Sequence, residues 1–263
     1  MEIKKFENVV WLAVKEDERD VIEVREAPQM DVRLVSYPKD IEKLIAFAAR
    51  ATYKGHVAET VKDVPLGRAL NMVQTVVECG HGSVWEHAVF TFDIRNISRA
   101  CTHQIVRHRM ASYTQESQHY ISYDKLMVVR PDKLDKNQLT MFTEACKEAF
   151  MKYRGLIESG YPHSEARSVL PNAVAARLVM TVNARSLYNF FGLRCCARNT
   201  WEIHTLAWKM LAMCKEISPT LFAAAGPRCW QLGFCPEGRN TCGTRDYDVR
   251  EFGALRSATS KKP

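Results

Sequence analysis

The sequence predicts an α+β fold, with a mixed or antiparallel sheet packed with helices, and three observations carry that expectation. Segments of strand and helix periodicity are intermingled without a regular βαβ repeat. No glycine-rich dinucleotide fingerprint follows a strand, and no Walker-type phosphate loop is present. Apolar residues make up 46% of the 263 and charged residues 25%, enough to bury a sizeable core and too little bias for extensive disorder.

The elements follow in order. Val9–Val14 and Val21–Val24 read as two short strands around an acidic turn. Pro38 and Asp40 introduce a helix over 41–52, and a second helix is expected over 65–78. Leu66, Leu70, Val73 and Val77 form its apolar face, and Gly80 and Gly82 stop it. Residues 86–95 alternate, with Ala88, Phe90, Phe92 and Ile94 on one side, and form the clearest strand. Residues 98–109 read as helical. A long helix over 137–159 carries Leu139, Phe142, Cys146, Phe150, Tyr153 and Ile157 at helical spacing and ends at Gly160-Tyr161-Pro162. Further helices are expected from Ala184 and over 200–217. The last 35 or so residues, rich in Gly, Arg and Cys, read as lacking regular structure.

Lys plus Arg number 37 against 30 Asp plus Glu, a net charge of +7 that suits anionic partners such as nucleotides, phosphates or nucleic acid. No apolar run reaches the roughly 18 residues a membrane helix needs. The first residues, Met-Glu-Ile-Lys-Lys-Phe-Glu, lack the apolar core of a signal peptide, so a cytoplasmic protein is expected. Nine cysteines, an odd number, read mostly as buried reduced thiols rather than a disulfide framework.

The densest polar cluster runs from Arg107 to Tyr120. Arg107 and Arg109 flank His108, and paired guanidinium forks suit phosphate oxygens. The following Gln115, Glu116, Ser117, Gln118 and His119 can hydrogen-bond a base edge or a ribose. A bare Arg-His-Arg is also compatible with a solvated basic face. Nucleic-acid binding fits less well, because stacking aromatics are sparse among the basic residues. Ser117 has no evident His–Asp pair to activate it, so it reads as a contact rather than a nucleophile.

Arg107-His108-Arg109, seven residues and then Ser117 resembles the signature of the flavin-dependent thymidylate synthases. His81-Gly82-Ser83-Val84-Trp85-Glu86-His87, Arg167-Ser168-Val169-Leu170-Pro171 and Thr181–Phe190 with Leu193-Arg194 are similar to three further family blocks, in the family's order. The resemblance covers about residues 40–222. It implies a thymidylate synthase-complementing fold assembled as a homotetramer with shared active sites. The implied reaction is reductive methylation of dUMP to dTMP. Methylenetetrahydrofolate is the carbon donor, FAD the cofactor and NADPH the reductant. The resemblance also implies a division into an N-terminal extension (1–35, a short hairpin packed on the body), the synthase domain (36–225) and a Cys/Gly-rich tail (226–263).

Residue by residue, the resemblance assigns Thr52, Ser83, Arg107, His108, Arg109, Gln115, Asn183, Arg185 and Asn189 to FAD. Gln104, Arg107, Gln115, Glu116, Ser117, Gln118, His119, Arg167 and Arg194 are assigned to dUMP. Arg194 and His81 are the catalytic candidates: Arg194 against the uracil ring, His81 beside flavin and folate. The Arg194 assignment makes chemical sense, since a cation at the uracil edge stabilises the negative charge that builds as C5 attacks. Each residue also has a plainer role. Asn183 can cap the helix that follows, Arg185 can pair on a surface, His87 can be a hydrogen-bonded sheet residue and His81 can help close a helix C-terminus. His119 stands where many family members have arginine, which makes phosphate binding sensitive to pH. Arg198 stands where the family has histidine. These departures leave open hydroxymethylation or methylation of another uracil nucleotide, and a non-catalytic nucleotide- or nucleic-acid-binding protein is the alternative of another class.

Cys229, Cys235 and Cys242 lie within 14 residues of a Gly/Pro-rich tail. Turns of that composition let thiolates converge on one tetrahedral ion, so a zinc site is one reading, with Cys195, Cys196 or a histidine as the fourth ligand; three reduced thiols in a tail, or an iron–sulfur cluster, are the others.

Overall fold

The computed structural model describes residues 8–15, 18–52 and 58–243. The described chain is α+β, with two sheets. One has the strand order β2-β1-β6, from β1 (Val9–Lys15), β2 (Glu18–Glu26) and β6 (Lys125–Val129). The other has the order β3-β4-β7-β5, from β3 (Asp31–Ser36), β4 (Val89–Ser98), β5 (Ala111–Gln115) and β7 (Ala175–Asn183). The chain divides into two compact units: residues 1–33, 92–109 and 113–180, and residues 34–91, 110–112 and 181–263.

In the first unit β1 is the central strand of an antiparallel sheet. It pairs with β2 in the register Leu12 to Val24 and with β6 in the register Leu12 to Leu126. Val10, Leu12, Leu126 and Val128 point into one core, which helix α4 (Lys136–Glu158) closes with Cys146, Phe150 and Tyr153. The spacing of those three residues put a single stripe on α4, as the periodicity predicted. Its start is fixed by a capping box: Asp135 accepts from the Gln138 amide at 2.9 Å, and Gln138 accepts from the Asp135 amide at 3.0 Å. Burial pushes the Cys146 thiol up to about 11, so it stays a neutral packing group. The short α5 (His163–Ala166) adds Ala166 to the same core.

The second unit contains α1 (Ile41–Arg50), α2 (Leu66–Glu78), α6 (Ala184–Arg194), α7 (Trp201–Ile217) and α8 (Arg228–Leu232). Phe222 collects Phe90, Tyr188 and Phe191 around it, with ring centroids 5.5, 5.8 and 6.2 Å away. Tyr188 donates its hydroxyl proton to the Leu221 carbonyl, so its polar end is satisfied inside this cluster.

Several expectations need correction. The buried face of α2 is Ala69, Val73 and Val76, whereas Leu66 is exposed. The stripe is rotated because small Ala69 packs with Ala46 and Val64, where a leucine would not fit as closely. The strand expected from residue 86 begins at Val89, because Gly82–His87 winds into a 3-10 helix. The helix expected over 98–109 spans only Arg99–Ile105 (α3), capped by Ser98 Oγ accepting from the Cys101 amide at 3.0 Å. The tail is not devoid of regular structure: α8 and a 3-10 turn at Gly238–Asn240 lie in it, while residues 244–263 of that expectation lie outside the described residues. No helix among the described residues is long and apolar enough to cross a membrane.

Candidate active site

The first set of candidate residues belongs to the first unit. With α3 ending at Ile105, Arg107, His108 and Arg109 fall on the turn beyond it. The triplet splays. His108 is buried at 9% exposure, and the two arginines on either side are exposed. Tyr113 on β5 locks this turn by donating one hydroxyl between two carbonyls, His108 O at 2.6 Å and Ile105 O at 3.1 Å. Burial pushes the Tyr113 phenol up to about 12, so it remains a donor. Neither Arg107 nor Arg109 has an ion-pair partner among the described residues. Two exposed guanidiniums on one turn can present their forks to phosphate oxygens without first being pulled from a carboxylate among the described residues.

The polar run starts at Gln115, the last residue of β5, and continues beyond the strand. Gln115 donates to Thr102 Oγ1 at 3.0 Å, which ties the strand to α3 next to half-buried Gln104. The Glu116 amide donates to the Arg177 carbonyl at 2.9 Å, Arg99 donates to the Glu116 carbonyl at 3.1 Å, and Tyr123 donates to the Glu116 carboxylate at 3.4 Å. Ser117 begins a tight turn: its Oγ accepts from the His119 amide at 3.2 Å, and its carbonyl accepts from Tyr120 and Ile121. α3, the Arg107–Arg109 turn and Gln115–His119 are thus held by hydrogen bonds from Gln115, Tyr113 and the Ser117 turn. Arg167 stands apart, at the start of the 3-10 turn Arg167–Val169.

The second set belongs to the second unit. α2 ends in a Schellman motif, with Gly80 at φ +70°, the Gly80 amide on Val77 O at 3.2 Å and the His81 amide on Val76 O at 2.9 Å. This sends His81 and Ser83, both exposed, into the 3-10 helix 82–87. Asn183 caps α6 by accepting from the Ser186 amide at 2.8 Å, so its plainer role is real. Arg185 pairs with Glu86 at 2.6 Å, its side chain lying over Gly82, where a Cβ would sit 3.2 Å from Nε. Asn189 accepts from Arg228 at 3.4 Å, and Arg194 at the end of α6 donates to Asn199 Oδ1 at 3.3 Å. Thr52 is exposed at the end of α1, where its hydroxyl donates to Ala49 O at 2.8 Å.

A family model for the thymidylate synthase complementing protein matches residues 33–220. The chain belongs to the thymidylate synthase complementing protein family. Its similarity to named relatives is of the same extent. It is 42% identical over 219 residues to the flavin-dependent thymidylate synthase of Geobacter sulfurreducens, covering 81% of this chain and 94% of the relative. It is 44% identical over 206 residues to that of Saccharolobus solfataricus, covering 76% and 78%. It is 41% identical over 217 residues to that of Pyrococcus furiosus, covering 78% and 89%. The family match spans every candidate residue except the tail cysteines.

The zinc expectation at Cys229, Cys235 and Cys242 is corrected. Among the described residues no three His, Cys, Asp or Glu side chains converge to hold a metal ion, and none of these three cysteines is in a disulfide. Cys229 is committed to α8, which ends at Gly233 in the left-handed region (φ +76°). The described part of the tail is fastened by polar contacts instead. Gln231 donates to Tyr188 O at 3.1 Å and Gly226 O at 2.9 Å, and Arg198 donates to Asn240 O at 2.6 Å. Cys195, one of the candidates for a fourth ligand, is buried, which pushes its thiol up to about 12.

Three residues of consequence escaped the sequence reading. Glu86 sits inside a matched block yet drew no role, because its partner lies 99 positions away. Asp93 is a strand residue of the outward-facing register, yet it is 4% exposed between Arg177 and Arg95. Asn199 gives no signal in sequence at all.

Proposed function

We propose that this protein is a flavin-dependent thymidylate synthase that converts dUMP, methylenetetrahydrofolate, NADPH and a proton into dTMP, tetrahydrofolate and NADP+. The observation that carries the reading is the Arg107-His108-Arg109 turn: two exposed guanidiniums, without an ion-pair partner among the described residues, presented around a buried imidazole, in a chain of this family. In the reaction the C5 proton of uracil is replaced by the folate methylene carbon plus a hydride. Bound FAD, reduced by NADPH, would supply that hydride.

The residues fit such a cofactor. Arg107, His108, Arg109, Ser83, Asn183, Arg185, Asn189, Gln115 and Thr52 are the proposed FAD contacts, with the exposed guanidiniums of Arg107 and Arg109 suited to the diphosphate. Arg107, Gln104, Gln115–His119 and Arg167 are the proposed dUMP contacts. Glu116, anchored through both of its backbone groups and its carboxylate, is suited to a fixed position against the nucleotide. Arg194 stabilises the charge that develops on the uracil ring, and His81 faces flavin and folate. We further propose a cytoplasmic homotetramer with shared sites, and a synthase domain over 36–225 between an extension and a tail. The exposure of Met110 (73%) and Tyr120 (81%), which bracket the polar run, supports a surface that ligand or a second chain covers.

The test is flavin retention. Protein purified without added flavin should carry the absorbance of an oxidised flavin, and the Arg107→Ala/Arg109→Ala double variant should lose it while keeping the melting temperature of the flavin-free wild type. A colourless protein that takes up no FAD on titration would refute the reading.

A further inference from the structure

We infer that Asn199 is a positioning residue that aims the Arg194 guanidinium, an inference resting on the uracil-facing role proposed above for Arg194. Arginine carries several rotatable bonds, so a guanidinium at the end of a helix is not fixed by its backbone alone. Here the backbone is fixed first. α6 ends with the Cys195 amide on Phe191 O at 2.9 Å, and the buried Cys195 roots the turn that follows. Asn199 then closes that turn. Its own amide donates to Cys196 O at 3.1 Å, and its side-chain nitrogen donates to Leu193 O at 2.7 Å and to Cys196 O at 3.0 Å.

Those two donations fix the plane of the Asn199 carboxamide. A flipped amide would set its oxygen against two carbonyls, so Oδ1 has one direction open to it. It points at Arg194 Nη1, 3.3 Å away. One side chain therefore links the carbonyl just before the arginine, the carbonyl two residues after it and the guanidinium itself. The acceptor is an uncharged amide oxygen, so this contact orients the cation without setting a negative charge beside it. A carboxylate in the same place would bind more tightly and offset the charge that the developing uracil anion needs. Arg185, placed in the flavin contacts, is held by a carboxylate instead. The residue just before Asn199, Arg198, ties the same turn to the tail through Asn240 O and, at 3.6 Å, Glu237.

The test is a double-mutant cycle in the dissociation constant for dUMP, measured on the flavin-loaded enzyme by the change in flavin absorbance. Asn199→Ala should weaken dUMP binding about tenfold in the wild-type background, the scale of a hydrogen bond to a charged group. In an Arg194→Ala background the same change should cost less than about twofold. Should Asn199→Ala not fold, Asn199→Ser replaces it: a serine hydroxyl can bond Cys196 O and keep the turn, but it is too short to reach Arg194. An equal cost in both backgrounds would mean that Asn199 only builds the turn, and no cost in the wild type would mean that it does nothing for the site; either result overturns the inference. Arg194→Ala with unchanged dUMP affinity would overturn the uracil-facing reading itself, and this inference with it.

Discussion

Arg185 reaches across the bare face of Gly82 to pair with Glu86 at 2.6 Å, joining the first turn of α6 to a 3-10 helix 99 positions earlier in the chain. Both side chains are about half exposed, so water screens the pair and its contribution to stability is small. Its consequence is geometric: it gives a guanidinium at a helix N-terminus one direction. Glu86→Gln should therefore change stability by less than about 1 kcal/mol in a thermal melt. Arg185→Ala should weaken FAD binding about tenfold in a fluorescence titration of the flavin-free protein. An unaltered FAD affinity would remove Arg185 from the cofactor contacts.

The splayed triplet makes a second, divided prediction. His108 is buried beneath a turn that Tyr113 locks, so His108→Ala should lower the melting temperature by several degrees, the effect of about 1 kcal/mol. Arg107→Ala and Arg109→Ala remove exposed charges and should leave the melt nearly unchanged. Each should instead weaken nucleotide binding and flatten its dependence on salt, because a screened ionic contact has been lost. A salt dependence identical to wild type in both variants would contradict the role given to the two arginines.

Asp93 predicts an acid-sensitive first unit. The Arg177 guanidinium beside it, bonded at 2.8 and 3.1 Å and helped by Arg95 at 2.6 Å, holds its carboxyl down to about 2. A carboxylate with a depressed folded-state value stabilises the fold above its unfolded value near 3.8. That stability is lost as pH falls from about 4 towards 2, and it is on the order of 1–2 kcal/mol after allowing for the half-exposed Arg177. Asp93→Asn should lower stability at neutral pH and flatten the slope in the acid limb of a denaturant series. An unchanged acid limb would show that the two arginines do not depress this carboxyl.

Phe150 is fully buried where α4 meets the β2-β1-β6 sheet. Phe150→Ala should cost about 3–5 kcal/mol, read as a shift of the urea midpoint with little change in slope. A loss below about 1 kcal/mol would mean that the site collapses around the missing ring.

Where the sequence was legible, one physical signal dominated. The stripe on α4 and the alternation in β4 each bury one face, so apolar spacing alone located them. β7 was not legible as a strand, because Ala175, Ala176 and Leu178 flank the charged Arg177, whose role depends on Asp93 in another strand. The rotation of the α2 stripe depended on Ala69 fitting against Ala46, which no single-helix pattern reveals. The Arg107–Ser117 signature was visible because it is contiguous. The partners that fix its neighbours, Tyr113 for His108 and Asn199 for Arg194, were not, because hydrogen bonds from side chains to distant carbonyls leave no periodicity. The tail cysteines misled for the converse reason: short spacing permits convergence but does not cause it, and here hydrogen bonds from Gln231 and Arg198 secure the segment.

The central claim is tested most directly by incubating the purified, FAD-loaded protein with dUMP, methylenetetrahydrofolate and NADPH without oxygen and identifying the nucleotide product by mass. The expected product is dTMP, formed in step with NADPH consumption. Arg194→Ala should retain flavin while losing on the order of 10²–10³ in turnover at saturating dUMP. A hydroxymethylated nucleotide, no product from dUMP, or full turnover by Arg194→Ala would contradict that claim.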